Sequence, residues 1–79
     1  MSKFKIGDIV ALYDVTFDNV NSTWRPAEKV NYSSVGKVVE IRDYGTHCIC
    51  KVDLKYAKLT FPSEHLFKLN DMEKAIYWK

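Results

Sequence analysis

The sequence contains little of what phosphate binding, membrane insertion or secretion requires. It has three glycines, at positions 7, 36 and 45, and their spacing is not that of a phosphate-binding loop. Its apolar runs stay well short of the roughly 18–20 residues that cross a bilayer. Asp8 lies where a secretory signal peptide would have the middle of an apolar run. We therefore expect a cytoplasmic protein that engages no membrane and needs no cofactor.

Length and charge narrow the class of protein further. A chain of 79 residues has room for one domain, and its 47% apolar composition is that of a folded protein. Twelve Lys and Arg residues against ten Asp and Glu residues give a formal net charge of +2. That charge is too small to create the strong positive field that drives non-specific nucleic-acid binding. Charge alone therefore does not predict a nucleic-acid partner.

The two cysteines, Cys48 and Cys50, are separated by one residue in a strand-like segment. Side chains at this spacing share one strand face but lie too far apart for an easy disulfide, so we expect free thiols. His47 and His65 would complete a set of four zinc ligands, but His47 would point to the opposite face of the strand. Thiols on a core face are also poor nucleophiles. We therefore expect neither a metal site nor an enzyme.

Alternating and β-branched apolar segments predict an all-β fold. The expected strands cover residues 8–14, 35–42, 46–54, 56–61 and 65–69. Gly45 lies in the expected turn between the second and third strands, where a positive φ is often needed. On the third strand the alternation predicts a core face made of Cys48, Cys50, Val52 and Leu54.

Two segments outside these strands have their own signals. Residues 14–34 are rich in Asn, Asp, Ser and Thr and have no sustained period, which predicts a long loop after the first strand. Loops of this length are uncommon in small domains and often carry function. Asn70 followed by Glu73 resembles a capping box and predicts a short C-terminal helix, which would need to pack its apolar residues on the sheet.

Two short motifs resemble those of SH3 domains. Residues 11–14 read ALYD, like the start of the ALYDY motif, and residues 61–66 read FPSEHL, like the closing segment of Pro-Ser-Asn-Tyr-Val type. The stretch FKIGDIV, with a later Trp-Arg-Pro segment and VGKVVEI, is similar to the SH3-like barrels of nitrile hydratase β subunits and of small bacterial and phage proteins. The resemblance implies a small five-stranded SH3-like barrel over residues 1–69, followed by a helical tail at residues 70–79.

The resemblance also carries expectations about function. SH3 domains bind proline-rich peptides in a groove, and Tyr13 and Pro62 match two of its residues. Val15 and His65 stand where the family has tyrosines, and its paired tryptophans have no counterpart, so proline-peptide binding is the less favoured function. The barrels of small bacterial and phage proteins are scaffolds or interaction modules. By analogy, the chain is expected to be a regulatory protein that binds a larger host protein.

The predicted loop concentrates the residue types that dominate binding hot spots. With the motif residues beside it, the loop predicts a partner-binding surface composed of Tyr13, Phe17, Trp24, Arg25, Tyr32, Pro62 and His65. We expect Trp24 to bury its ring in the partner and Arg25 to pair with a carboxylate. The alternative is that Trp24 and Phe17 fold back to plug one end of the barrel.

Nucleic-acid binding is the alternative function. Lysines cluster in the second half of the chain, and tyrosines among them are available for stacking on bases. This hypothesis assigns the site to Tyr44, Lys51, Lys55, Tyr56 and Lys58. Acidic residues interleave with the lysines throughout, a pattern more typical of a solvated surface. The sequence leaves the identity of the partner and the oligomeric state open.

Overall fold

One antiparallel sheet carries most of the protein. The structure, a computed structural model, describes residues 4–78. Within them the elements in chain order are β1 (Ile9–Asp18), β2 (Thr23–Asp43), β3 (Cys48–Asp53), β4 (Lys58–Pro62), a 3-10 helix (Ser63–His65), β5 (Leu66–Lys68) and α1 (Asp71–Tyr77). The strands lie in the order β4-β3-β2-β1-β5. The predicted all-β fold with a short C-terminal helix is confirmed. No helix of this range is long and apolar enough to cross a membrane.

The first part of strand β1, over residues 9–11, is buried on both of its faces. One face contributes Val10 to a main core, whose other buried members are Phe4, Val38, Cys50, Val52, Leu54 and Leu66. The other face contributes Ile9 and Ala11 to a second core with Leu69, and Trp78 packs against that cluster. Because neighbouring side chains of a strand point to opposite faces, burial on both faces explains why residues 9–13 are almost continuously apolar.

Strand β2 is long because it pairs with different neighbours along its length. It pairs with β1 as far as Lys37 and with β3 from Lys37 onward. Gly36 lies next to this changeover. A Cβ atom there would be 2.6 Å from the backbone oxygen of Asp53 and 2.6 Å from a methyl carbon of Val52. Glycine is therefore required at this position by the close approach of the next strand.

The long loop predicted over residues 14–34 is wrong. Strand β1 continues to Asp18 and β2 begins at Thr23, so the segment is the outer part of a β-hairpin with a turn at residues 19–22. The pairing of β1 with β2 shifts register between Ala11 and Leu12 and again between Tyr13 and Val15. Such bulges break the alternation of side chains along a strand. Apolar and polar residues therefore do not alternate along this segment of the sequence, although the segment forms two strands.

Three further local predictions are confirmed, although β3 begins at Cys48 and β4 at Lys58, two residues later than predicted in each case. Gly45 has a φ of +88°, and its backbone N–H donates to Asp43 Oδ1 at 2.9 Å in the turn between β2 and β3. The predicted core face of β3 lies in or against the main core. The capping box is formed, since Glu73 N donates to Asn70 Oδ1 at 2.8 Å and Asn70 N donates to Glu73 Oε1 at 3.0 Å.

Candidate functional site

The outer part of the β1–β2 hairpin extends beyond the paired sheet. Strand β5 pairs with β1 only over Val10–Leu12, and β3 pairs with β2 only from Lys37 onward. Beyond these points the two strands of the hairpin pair only with each other. We call residues 14–30 the hairpin arm. A two-stranded ribbon of this kind depends on its own cross-strand contacts and its turn for a fixed shape.

An aromatic pair lies near the tip of the hairpin arm. Phe17 and Trp24 are cross-strand partners, and their rings meet edge to face with centroids 5.2 Å apart. Phe17 is 44% exposed and Trp24 is 66% exposed, and neither belongs to the main core or the second core. Val20, in the turn itself, is 91% exposed. The alternative in which Trp24 and Phe17 plug the barrel is therefore wrong.

The turn at the tip is organised by one carboxylate. Asp18 Oδ1 accepts hydrogen bonds from the backbone N–H groups of Val20, at 2.9 Å, and Asn21, at 3.3 Å. Asp18 Oδ2 accepts from Asn21 Nδ2 at 2.9 Å and from Arg25 Nη1 at 3.1 Å. Arg25, predicted to pair with a carboxylate of the partner, thus already has an internal carboxylate partner. The hydrogen bonds from Asn21, followed by those from Val20 and Arg25, lower the pKa of Asp18.

Acidification should release this turn only at low pH. Because the pKa of Asp18 lies below its ordinary value of 3.8, its contribution is complete above that value and is lost as pH falls through the lowered pKa. We expect the amide signals of Val20 and Asn21 in NMR spectra to move with a midpoint below pH 3.8, and the Asp18→Asn variant to lack this transition. The Val38 amide reports whether the sheet is still folded. A midpoint at or above the ordinary value would contradict the prediction.

Two motif residues of the predicted surface, Tyr13 and Pro62, line two grooves that share Glu64. Tyr13 lies just below the hairpin arm, with its ring 6.0 Å from that of Phe67, and lines a groove of about 410 Å³ with Pro26, Ala27, Glu28 and Glu64. Pro62 lines a different groove, of about 180 Å³, beside His47 and Cys48. His65 is half-buried in the 3-10 helix. Only Tyr13 therefore adjoins the arm through a shared groove.

Tyr32 is not part of the surface at the tip of the arm. Its ring stacks on that of Tyr77 with centroids 4.3 Å apart, and its hydroxyl donates to Glu73 Oε2 at 2.9 Å. That hydrogen bond raises the pKa of Tyr32, with burial as a further cause. The residue therefore fastens the C-terminal helix to β2 and lies apart from the tip of the arm; its part in partner binding stays a prediction.

The residues of the alternative nucleic-acid site are also distributed over several places. Tyr44 stacks on His47 in the β2–β3 turn, at 4.9 Å between ring centroids. Lys51 is half-buried on β3, and Lys58 begins β4. Lys55 and Tyr56 form the turn between β3 and β4 and face a groove of about 390 Å³ beside the C-terminal helix. We call this the tail groove; its lining residues are Tyr32, Ser33, Val35, Leu54, Lys55, Tyr56, Tyr77 and Trp78.

The sequence reasoning did not assign Tyr77 and Trp78 to any site. It treated them only as apolar residues that could dock the helix on the sheet. The signal that was available is the concentration of aromatic residues at the end of the chain, but their partners Tyr32 and Tyr56 are distant in sequence. The groove exists because the tail returns to β2, which no local pattern indicates.

Within residues 4–78, the thiols and the acidic side chains form no reactive cluster. Cys50 is fully buried, and burial with the neighbouring Cys48 raises its pKa to about 11, so it stays protonated at neutral pH. A protonated thiol is a poor nucleophile and a poor metal ligand. Over residues 4–78 no group of three or more His, Cys, Asp or Glu side chains could hold a metal ion. The absence of catalysis stays a prediction.

Comparison with known proteins gives no further assignment. No protein-family model matches the chain, and no curated protein or solved structure is significantly similar to it. The geometry of its own side chains, above all the exposed aromatic pair on the hairpin arm, is therefore the basis for a function.

Proposed function

We propose that the chain is a non-catalytic protein-binding module on an SH3-like barrel, with the hairpin arm as its recognition element. The observation that carries the proposal is the Phe17–Trp24 pair, exposed near the tip of the arm and outside both cores. Neighbouring apolar side chains exposed together are a common mark of an interaction site, and tryptophan is enriched among the residues that dominate binding energy. The proposal of an SH3-like barrel rests on the sequence motifs and on five strands in succession, with a tight turn before the last.

The arm holds its aromatic pair in place before any partner arrives. The bonds of Asp18 to the turn and to Arg25 fix the tip, and the edge-to-face contact fixes the two rings against each other. A side chain that is already ordered loses less conformational entropy on binding. Burial of exposed aromatic surface would then contribute about 25 cal/mol per Å² of apolar area removed from water.

Polar groups surround this apolar tip and would form the rim of the interface. Arg25 is exposed on the arm, and Glu28 and Glu64 line the groove at its base with Tyr13. The partner that fits is a protein with an apolar pocket for Trp24 and with hydrogen-bond donors opposite the two carboxylates. The sequence resemblance to small bacterial and phage proteins supports one kind of partner: a larger host protein to which a regulatory protein binds. Proline-peptide recognition is less favoured, because Val15 and His65 stand where SH3 domains have tyrosines.

Truncating the exposed tryptophan should abolish partner capture. We expect immobilised wild-type protein to retain a binding protein from a lysate of the native host, and immobilised Trp24→Ala protein not to retain it. The affinity of that protein, once purified, should fall by at least tenfold for Trp24→Ala, because hot-spot tryptophans typically contribute about 2 kcal/mol or more. The measurement is isothermal titration calorimetry with wild type and variant at equal ionic strength.

The matched control is Met72→Ala. Met72 is 73% exposed, like Trp24, but lies on α1 and is not part of the arm. We expect it to retain the partner with unchanged affinity. The free energy of unfolding of Trp24→Ala should fall by no more than about 1 kcal/mol, the scale of one cross-strand aromatic pair. Equal binding by wild type and Trp24→Ala would show that the arm is not the recognition element.

A further inference from the structure

The hairpin arm has an open edge along β1. Strand β5 pairs with β1 only over Val10–Leu12, so within residues 4–78 no strand pairs with the outer edge of β1 beyond that point. An open edge presents backbone N–H and C=O groups with which a further strand can pair. Extended segments of other proteins add to sheets at edges of this kind.

Two hydrogen bonds at the start of β1 show which residues face this edge. The C=O group of Asp8 accepts from the N–H group of Val38, toward β2, and the C=O group of Ile9 accepts from the N–H group of Leu69, toward β5. Because these directions alternate along an antiparallel strand, the odd-numbered residues of β1 have their backbone groups on the side of β5. On the arm, where β5 has ended, that side is the open edge.

Val15 and Phe17 are the odd-numbered residues of β1 on the arm. Val15 lies opposite Pro26, and Phe17 lies opposite Trp24. Proline has no N–H group, and none is needed in a pair whose backbone groups point away from each other. Side chains approach closely in such pairs, and the rings of Phe17 and Trp24 are in contact. The backbone groups of Val15 and Phe17 are therefore available to a further strand.

The other edge of the arm, along β2, is protected. Pro26 offers that edge no N–H group, and Lys29 adds a charged side chain. Pro26 pairs with Val15 and Val30 pairs with Tyr13, so three residues of β2 bulge where β1 has one. Proline, lysine and bulges keep strand edges from pairing with other chains. The edge of β1 on the arm, with the sequence DVTFD, has none of the three.

The two faces of this edge determine the chemistry of a strand that would fit it. Val15 is 54% exposed and shares one face with Phe17, so that face is apolar. On the opposite face Asp18 is paired with Arg25, whereas the carboxylate of Asp14 has no ion pair or side-chain hydrogen bond within residues 4–78. A strand added here therefore meets apolar surface on one face and an unpaired carboxylate on the other.

We propose that the hairpin arm binds its protein partner by strand addition, taking an extended segment of alternating apolar and basic residues along the β1 edge over residues 14–18. This inference rests on the proposed function of the arm and names the part of the partner that the arm takes. Val15 and Phe17 provide the backbone hydrogen bonds, and Asp14 pairs with a lysine or arginine of the segment.

Amide hydrogen exchange measured by NMR tests the edge directly. In the free protein we expect the amides of Val15 and Phe17 to exchange faster than those of Thr16 and Asp18, which pair across the ribbon. A cyclic hairpin peptide with one strand of alternating valine and lysine, at saturation, should slow the Val15 and Phe17 amides about fivefold or more, the effect of one hydrogen bond each. The same peptide with glutamate in place of lysine should bind more weakly, because Asp14 repels it.

Matched variants of Val15 isolate the backbone contribution. Val15→Pro removes the N–H group at the edge, and Val15→Thr keeps it. We expect the first variant to weaken peptide binding about fivefold or more and the second to weaken it less than about twofold. Asp14→Asn should remove most of the preference for the lysine peptide over the glutamate peptide. The Val38 amide reports the fold of each variant, and exchange in the wild-type protein decides the question if Val15→Pro does not fold.

Three results would overturn strand addition. They are Val15 and Phe17 amides that exchange equally fast with and without the lysine peptide, equal losses for the two folded Val15 variants, and protection that develops with protein concentration alone. The last result would identify a second copy of the chain as the occupant of the edge. The proposed function fails by a different result, which is capture of the partner protein by Trp24→Ala as tightly as by wild type.

Discussion

The Gly36→Ala variant should lose about 3 kcal/mol of folding free energy, near the upper end for overpacking of a well-ordered interior. The added methyl group would lie 2.6 Å from the backbone oxygen of Asp53 and from a methyl carbon of Val52. A backbone oxygen in a paired strand cannot move aside like the end of a flexible side chain. The strain would therefore spread into β3 and into the register with β1. Urea denaturation followed by circular dichroism measures the loss.

Gly45→Ala is the matched control for this substitution. It makes the same chemical change, but nothing lies within 4 Å of the new Cβ, and the cost comes only from the φ of +88°. We expect about 1 kcal/mol for that variant, from the left-handed conformation of the backbone. A Gly36→Ala variant as stable as wild type, or less destabilised than Gly45→Ala, would show that β2 and β3 separate at little cost.

Removal of residues 70–79 should also destabilise the sheet by about 3 kcal/mol, the low end for loss of a large aromatic side chain from a packed cluster. Trp78 would no longer cover Ile9, Ala11 and Leu69 of the second core. Tyr32 would lose both its stacking partner Tyr77 and the acceptor for its hydroxyl. Thermal unfolding of the truncated chain, together with binding of a dye that recognises exposed apolar surface, measures the effect.

A milder variant shows how much of this loss depends on the helix itself. Asn70→Ala removes the side chain that accepts from Glu73 N and leaves Trp78 in place. We expect it to cost about 1 kcal/mol, the usual value for an N-cap residue. If the truncated chain unfolds at the same temperature as the full chain, the second core contributes nothing to stability and the tail is an appendage.

The elements that the sequence predicted correctly are those whose signals are local. The capping box needs only Asn70 and Glu73, and the turn at Gly45 needs only one residue of the right type. Strand β3 alternates cleanly because one of its faces, with Cys48, Cys50 and Val52, lies on the main core. Local patterns of this kind are readable without knowledge of the rest of the fold.

The hairpin arm was misread because its strands are stabilised by partners across the ribbon. Phe17 and Trp24 support each other only once β1 and β2 are in register, and bulges interrupt the period on either side of Tyr13. The segment was predicted to be a loop, which is wrong, but it does carry the exposed aromatic residues Phe17 and Trp24. Tyr32 could not be placed, because its contacts with Glu73 and Tyr77 join segments more than forty residues apart.

The burial of β1 on two faces has a consequence for how the protein is made. The strand leaves the ribosome early, yet its second face is covered only after Leu69 and Trp78 have been synthesised. Until then Ile9 and Ala11 are only partly covered, and a nascent chain with uncovered apolar surface is prone to association. Of the five strands, β1 is thus translated first but covered completely only when Trp78 is available to pack against it.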